Sequence, residues 1–285
     1  MCKIFLGVSM VLSFEIHKGR PMPNHLALFW LGQAGFWLES STKRVLIDPY
    51  LSDSLAHKYD GKKHDHQRMA PPPIIVGELP EIDYVLITHA HTDHLDPDTL
   101  GPLFERFPKV RFVVPASCED LARERIGQAV ELILVDTGDE ISLDGLQIKV
   151  FPAAHEAEEL DALGRHKFLG YGIEVDGTRF YHSGDTIPFE DLDMAVSTYS
   201  PDIALLPVNG RDAERLADGI PGNLTLDEAI FFARHAKILI PHHWGMFSFN
   251  TEDPAKIDLA ASEHSEIQIV RPQLCRTLKI VPDGG

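Results

Sequence analysis

The stretch His89-Ala90-His91-Thr92-Asp93-His94 decides how this chain is read, because it sets four nitrogen and oxygen donors within six residues directly after an apolar run. That run, Ile82-Asp83-Tyr84-Val85-Leu86-Ile87, reads as a buried strand that delivers the cluster to a sheet edge. Imidazole and carboxylate together suit borderline divalent ions such as zinc, and the carboxylate component also admits manganese or iron. A lone histidine would read as part of a polar turn. Four donors at this spacing predict a metal site.

Upstream of the cluster, short strands are expected over Leu26 to Leu31, Phe36 to Glu39 and Arg44 to Ile47, punctuated by Gly32, Gly35 and an Asp48-Pro49 turn. Residues 52–81 lack periodicity and run into Pro71-Pro72-Pro73, which predicts a long loop of the kind that carries function. Downstream, Asp96-Pro97 opens a helix to about Phe107, with the carboxylate as cap and the proline in the first turn, where its missing donor does no harm. A strand over 111–114, a helix over 116–125 and a strand over 130–135 follow. Antiparallel strands are expected at 140–143, 146–152, 169–175 and 178–182, with a turn at Asp176-Gly177. The last third alternates: strand 203–208, helix 225–236, strand 237–241, helix 254–264, then strands 266–270 and 276–281. Thr225 and Glu228 fit a capping box, and Asp253-Pro254 repeats the cap-and-proline start.

No short-period repeat and no low-complexity linker interrupts this pattern, so residues 25–285 read as a single α/β domain of two mixed sheets packed together with helices outside. Residues 1–24 read as a disordered or loosely packed extension. No small-residue cleavage signature precedes His17-Lys18-Gly19-Arg20, and the opening apolar stretch is too short to span a bilayer.

A formal charge of −17 over 285 residues argues against a surface that neutralises many phosphates, so nucleic-acid and membrane binding are not expected. A local basic pocket for a small anion is compatible with that charge. Cys2, Cys118 and Cys275 are far apart and unpaired in spacing, which points to a reducing compartment, the cytoplasm. Assembly into a homo-oligomer is left open.

Three later stations each lie just past an expected strand. His155 ends Val150-Phe151-Pro152-Ala153-Ala154, Asp185 follows Phe180-Tyr181-His182-Ser183-Gly184, and His242-His243 follows Lys237 to Pro241. Singly, a histidine after a strand is more often a hydrogen-bonded structural residue. Taken in order, the set resembles the metallo-β-lactamase fold superfamily, whose ligand series is H-x-H-x-D-H, a lone His, an Asp and a final His. The resemblance implies a four-layer αββα sandwich. It places His89, His91 and His155 on a first ion, Asp93, His94 and His243 on a second, and Asp185 between them. His243 is preferred to His242 because relatives usually carry an apolar residue before this ligand.

A narrower likeness covers most of the chain after Leu26. Phe29-Trp30-Leu31-Gly32-Gln33-Ala34-Gly35-Phe36-Trp37-Leu38, Gln67-Arg68-Met69-Ala70, Tyr181-His182-Ser183-Gly184-Asp185 and Ile240-Pro241-His242-His243-Trp244 resemble the L-ascorbate-6-phosphate lactonase-like branch. That branch opens a phosphorylated sugar lactone in the cytoplasm with a divalent metal, often manganese.

Two divalent ions in such a set lower the pKa of a bridging water and polarise the electrophilic oxygen, so attack by a metal-bound hydroxide needs no side-chain nucleophile. Neither a G-x-S-x-G elbow nor a P-loop occurs in the sequence. Asp93, to orient the hydroxide, and Asp185, to bridge the ions, are the catalytic candidates. His166, in the 155–167 loop, is a candidate proton source for a departing alkoxide. Arg68 and Arg211, the latter beside Asn209, are candidate clamps for a substrate phosphate. Trp30 and Trp37 read as core, and Trp244 as a neighbour of the site or a packing residue. The function these readings imply is metal-dependent hydrolysis of a small anionic, sugar-phosphate-like lactone such as L-ascorbate 6-phosphate, with one or two Mn2+ or Zn2+ ions. A phosphodiesterase of lipid or nucleotide esters is the second reading, and a non-catalytic metal-binding protein the third.

Overall fold

The apolar runs are the strands of two sheets in the computed structural model, which describes residues 12–282. The first half of the chain supplies β1 (Leu12–Lys18), β2 (Ala27–Gly32), β3 (Gly35–Glu39), β4 (Arg44–Ile47), α1 (Ser54–Lys58), β5 (Tyr84–Leu86), α2 (Pro97–Arg106), β6 (Arg111–Pro115), α3 (Glu119–Ile126) and β7 (Leu132–Val135). The second supplies β8 (Glu140–Leu143), β9 (Leu146–Pro152), β10 (Leu169–Val175), β11 (Thr178–His182), α4 (Glu190–Tyr199), β12 (Ile203–Pro207), α5 (Ala213–Ala217), α6 (Leu226–Ala233), β13 (Ile238–His242), α7 (Pro254–Glu263), β14 (Gln268–Ile269) and β15 (Arg276–Pro282).

One sheet runs β1-β15-β2-β3-β4-β5-β6-β7 and the other β14-β13-β12-β11-β10-β9-β8. Each is mixed. In the first, pairing is antiparallel as far as β4 and parallel from β4 to β7. In the second, it is antiparallel from β8 to β11 and parallel from β11 to β14. Parallel strands need both faces covered, and the alternation of side chains provides this. Leu28, Trp30, Phe36, Leu38 and Leu86 point into the core shared with Ile148, Val150, Tyr171 and Ile173 of the second sheet. Their neighbours Phe29, Leu31, Trp37, Val85 and Ile87 pack instead with Leu100 and Leu103 of α2 and Ala122 and Ile126 of α3. Fully burying one such leucine contributes about 1.5–3 kcal/mol. On the far side, Leu192 and Val196 of α4, Ile230 and Phe232 of α6 and Ile257 of α7 join the inter-sheet core cluster. The α/β fold with helices outside two mixed sheets is as the sequence predicts.

Two expectations are corrected. Residues 12–18 do not belong to a loose extension: Leu12, Phe14 and Ile16 alternate with polar residues, and the segment pairs antiparallel with β15 as an edge strand. Of the rest of that expectation, residues 19–24 are an irregular link to β2 whose Gly19 amide donates to the Cys275 carbonyl at 2.8 Å, and residues 1–11 lie outside the described residues. The expected structureless stretch 52–81 contains α1, held down where Ser54 Oγ donates to Asp96 Oδ1 at 2.8 Å. Asp96 also caps α2 by accepting from the Asp98 amide, so the loop is tied to the element that follows the histidine cluster. Helices α4 and α5 were not foreseen. Among the described residues, no helix is long and apolar enough to cross a membrane.

Candidate metal centre

Strand ends bring the donors together. His89 to His94 follow β5, His155 follows β9, Asp185 follows β11 and His243 follows β13, so both sheets contribute. Gly184, at φ +63°, allows the close approach: a Cβ there would lie 2.5 Å from the Leu169 carbonyl oxygen and 3.0 Å from Thr88 Cβ. Asp185 sits at the centre. Its Oδ1 is 3.4 Å from His94 Nε2, and its Oδ2 is 3.2 Å from His243 Nε2 and 3.5 Å from His155 Nε2. Asp93 Oδ2 is 3.9 Å from both His94 Nε2 and His243 Nε2. The His91 ring lies 4.6 Å from that of His89 and 5.2 Å from that of His155.

Hydrogen bonds fix which nitrogen of each ring is free. His94 Nδ1 donates to Asp48 Oδ2 at 2.7 Å and His155 Nδ1 to the Gly222 carbonyl at 2.8 Å. Thr88 Oγ1 gives its proton to Asp48 and so accepts from His89 Nδ1 at 3.0 Å. In the neutral ring each of these histidines therefore turns an unprotonated Nε2 toward the centre. His89 Nε2, His94 Nε2 and Asp185 Oδ1 are buried without any hydrogen-bond partner. Buried polar atoms are rarely left so, and a cation satisfies all three at once. His89, His94 and Asp185, and separately Asp93, His94 and His243, place donor atoms within 4.8 Å of one another. The donor set fits divalent ions of the first transition row.

The electrostatics agree. Burial works against ionising Asp185, yet the imidazoles of His243 and His94 hold its carboxyl well below the usual range. Burial would depress the His94 imidazole, but Asp185, Asp48 and Asp93 together hold it well above its ordinary value, so these carboxylates draw positive charge to Nε2, in the form of a proton or of a cation that displaces it.

An open cavity of about 560 Å³ leads to these residues, walled by His91, Asp93, His155, Asp185 and His243 on one side and by Leu55, Tyr59, His66 and Phe247 on another. Lys58, Lys62 and Lys63 line it as well. Lys63 is engaged by Asp218 at 2.6 Å, whereas Lys58 and Lys62 have no ion-pair partner among the described residues.

The residues expected to hold substrate lie elsewhere. The Arg68 guanidinium packs on the Tyr50 ring and donates to the carbonyls of Tyr50, Ser52 and Ala70, so it staples its own loop. Arg211 makes two 2.6 Å bonds to Glu228 and one to the Asn223 carbonyl, bracing the start of α6. Asn209 is buried between Asn250 and Asn223, and His166 Nδ1 is bound to Asp136 at 2.9 Å. None of the four lines the cavity. A carboxylate or carbonyl partner close in space claimed each one, and sequence distance hides such partners. Trp244 stacks on Trp30 at 4.7 Å, outside the cavity. His242 turns away from Asp185 to stack on His182 at 4.7 Å.

Sequence reasoning missed Asp48, read as turn punctuation; its signal was a carboxylate directly ending an apolar strand. It also missed Gln33, whose Nε2 donates to Asp93 Oδ2 at 2.8 Å and whose carbonyl accepts from the His243 amide at 3.0 Å. Phe168, which packs against His89, His91 and His155, had no signal at all.

Residues 43–244 match the beta-lactamase superfamily domain. The chain belongs to the metallo-β-lactamase superfamily. Within that superfamily it is similar to a UPF0173 metal-dependent hydrolase of Archaeoglobus fulgidus, 28% identical over 255 residues that cover 87% of this chain and 96% of the relative. One from Pyrococcus furiosus is 28% identical over 247 residues, 85% of this chain and 95% of the relative. The fold is shared with an isothiocyanate hydrolase from Delia radicum gut bacteria, at TM-score 0.70, 20% identity and coverage of 90% and 98% of the two chains. It is also shared with Igni18, a metallo hydrolase from Ignicoccus hospitalis, at TM-score 0.65, 21% identity and coverage of 91% and 98%.

Proposed function

We propose that this superfamily member is a metal-dependent hydrolase that opens a small anionic lactone of the sugar-phosphate type, such as L-ascorbate 6-phosphate. The observation that carries the hydrolytic part is the convergence of the Nε2 atoms of His89, His94 and His155 with the Asp93 and Asp185 carboxylates, three of which (His155, Asp93 and Asp185) line an open cavity. Its lysines favour an anionic substrate, since Lys58 and Lys62 stand at the wall of a cavity in a chain whose net charge is −17. The metal-dependent hydrolases named above among its relatives support the reading.

In this reading His89, His91 and His155 hold one ion, Asp93, His94 and His243 a second, and Asp185 both. The ions are Mn2+ or Zn2+. Bound there, they supply Lewis-acid polarisation and acidify solvent water. Asp93 keeps one carboxylate oxygen for a proton in transit while Gln33 fixes the other at 2.8 Å. Phe168 and Phe247 exclude water from the ligands and the cavity wall.

The test is an assay of metal-loaded protein against phosphorylated lactones, neutral lactones and phosphodiesters, with a chelated control. Lactone turnover that disappears with chelator and returns with Mn2+ or Zn2+ supports the proposal. Turnover of diesters alone would replace it with a phosphodiesterase, and silence on every substrate would leave a metal-binding protein without catalysis.

A further inference from the structure

Two imidazoles line the cavity without belonging to the ligand set, His64 and His66. His64 is engaged, its Nε2 being 2.9 Å from Asp218 Oδ2. His66 differs. Its Nδ1 lies 2.7 Å from the His64 carbonyl oxygen, which can only accept, so Nδ1 carries the proton and Nε2 keeps a lone pair. No described residue takes that Nε2. The ring is immobilised on three sides: stacked on Tyr59 at 4.3 Å and 22°, and edge-on to Phe247 at 5.0 Å and Phe249 at 4.8 Å. Its backbone is held at φ +54°, a region that residues with a side chain seldom enter and that often marks a functional position. Burial chiefly lowers its pKa from the ordinary 6.5, against the His64 carbonyl and the charges of Asp93 and Asp65, with His64 lowering it further. The imidazole is then neutral at physiological pH and presents an acceptor.

We propose that His66 is a specificity-determining residue whose Nε2 accepts a hydrogen bond from a hydroxyl group of the substrate. The proposal rests on the hydrolase reading and deepens it, because it names the residue that selects for a hydroxyl of that substrate. An acceptor held this rigidly gains nothing from an analogue that lacks the donor, and a site built to bind a hydroxyl discriminates against its absence. Because His66 is half-buried, water replaces part of the lost bond, and the expected discrimination is about 10- to 100-fold. The lysines act on the same molecule at a different point: they attract its charge, and His66 reads its hydroxyl.

The experiment uses the metal-loaded full chain with 15N-labelled histidine, the His66 signals being assigned by their loss in His66→Phe. Long-range proton–nitrogen correlation is expected to show the Nδ1–H tautomer, and gluconate is expected to shift the Nε2 resonance while hexanoate does not. In turnover, the wild type prefers α-hydroxy-γ-butyrolactone to γ-butyrolactone. His66→Phe, which keeps the aromatic packing, abolishes that preference, and His66→Gln, which restores a carbonyl acceptor, recovers part of it. An Nε2–H tautomer, an equal response to the two acids, or an equal loss on both lactones in His66→Phe would overturn the proposal. Absence of any wild-type lactone turnover would instead sink the substrate reading, and the gluconate and hexanoate titrations would then decide His66 alone.

Discussion

Asp48 Oδ2 lies 2.7 Å from His94 Nδ1, and both side chains are fully buried. The same carboxylate accepts from Thr88 Oγ1 at 2.6 Å and from the Thr88 amide at 2.8 Å, so one residue at the end of β4 orients the ring that faces both Asp93 and Asp185. A carboxylate behind a ligating imidazole fixes its tautomer and raises its basicity. Asp48→Asn is expected to weaken metal affinity by about 10- to 100-fold, read by competition with a chelating dye. Asp48 adopts φ +42°, which asparagine tolerates better than alanine does. Asp48→Ala should therefore also lower the urea midpoint beyond the loss seen in Asp48→Asn, and equal midpoints would refute the backbone argument.

Chelation should destabilise the folded chain, because His89 Nε2, His94 Nε2 and Asp185 Oδ1 have no other partner. Each ion at a hundred times its dissociation constant stabilises by about 2.7 kcal/mol. The melting temperature is expected to fall with EDTA and to recover with Mn2+ or Zn2+. An Asp185→Asn variant should show a much smaller response, and elemental analysis should find less metal in it.

Lys58 and Lys62 replace the arginines as the expected anion clamp. The double variant Lys58→Ala/Lys62→Ala should raise KM for a phosphorylated lactone about tenfold, about 1.4 kcal/mol, and leave a neutral lactone nearly unchanged. The effect should shrink at high salt. Arg211→Ala should not discriminate between the two substrates. Selective loss in the arginine variant would restore the sequence expectation.

The Arg211–Glu228 pair should shape acid stability. Its hydrogen bonds to Arg211 hold the Glu228 carboxyl below its ordinary 4.5 in the folded protein. The unfolded chain then binds the proton more readily, so the stabilisation is present above pH 4.5 and is lost as pH falls through the native value. Urea midpoints compared at pH 7 and below pH 4 should fall less steeply in Glu228→Gln than in the wild type. A parallel fall would dissociate this pair from the acid limb.

Periodic features were legible from sequence, and contacts across the fold were not. Strands β2 to β4 and β8 to β13 and helices α2, α6 and α7 follow apolar runs or cap signals such as Thr225 with Glu228, which forms the capping box the spacing predicts. The donors from His89 to His243 were visible because local strand ends carry them, and the fold brings them together. Asp48, Gln33 and Phe168 act only through residues distant in the chain. Arg68 and Arg211 failed for the converse reason: a guanidinium looks free in a sequence until its carbonyls and carboxylate are located in space.

The origin of the donors has a mechanical consequence. The β1–β7 half presents His89, His91, Asp93 and His94, and the β8–β14 half presents His155, Asp185 and His243. An ion shared by these groups is a rivet through the seam between the two halves. Without it, the apolar core common to both sheets is left to hold that rim of the seam by itself.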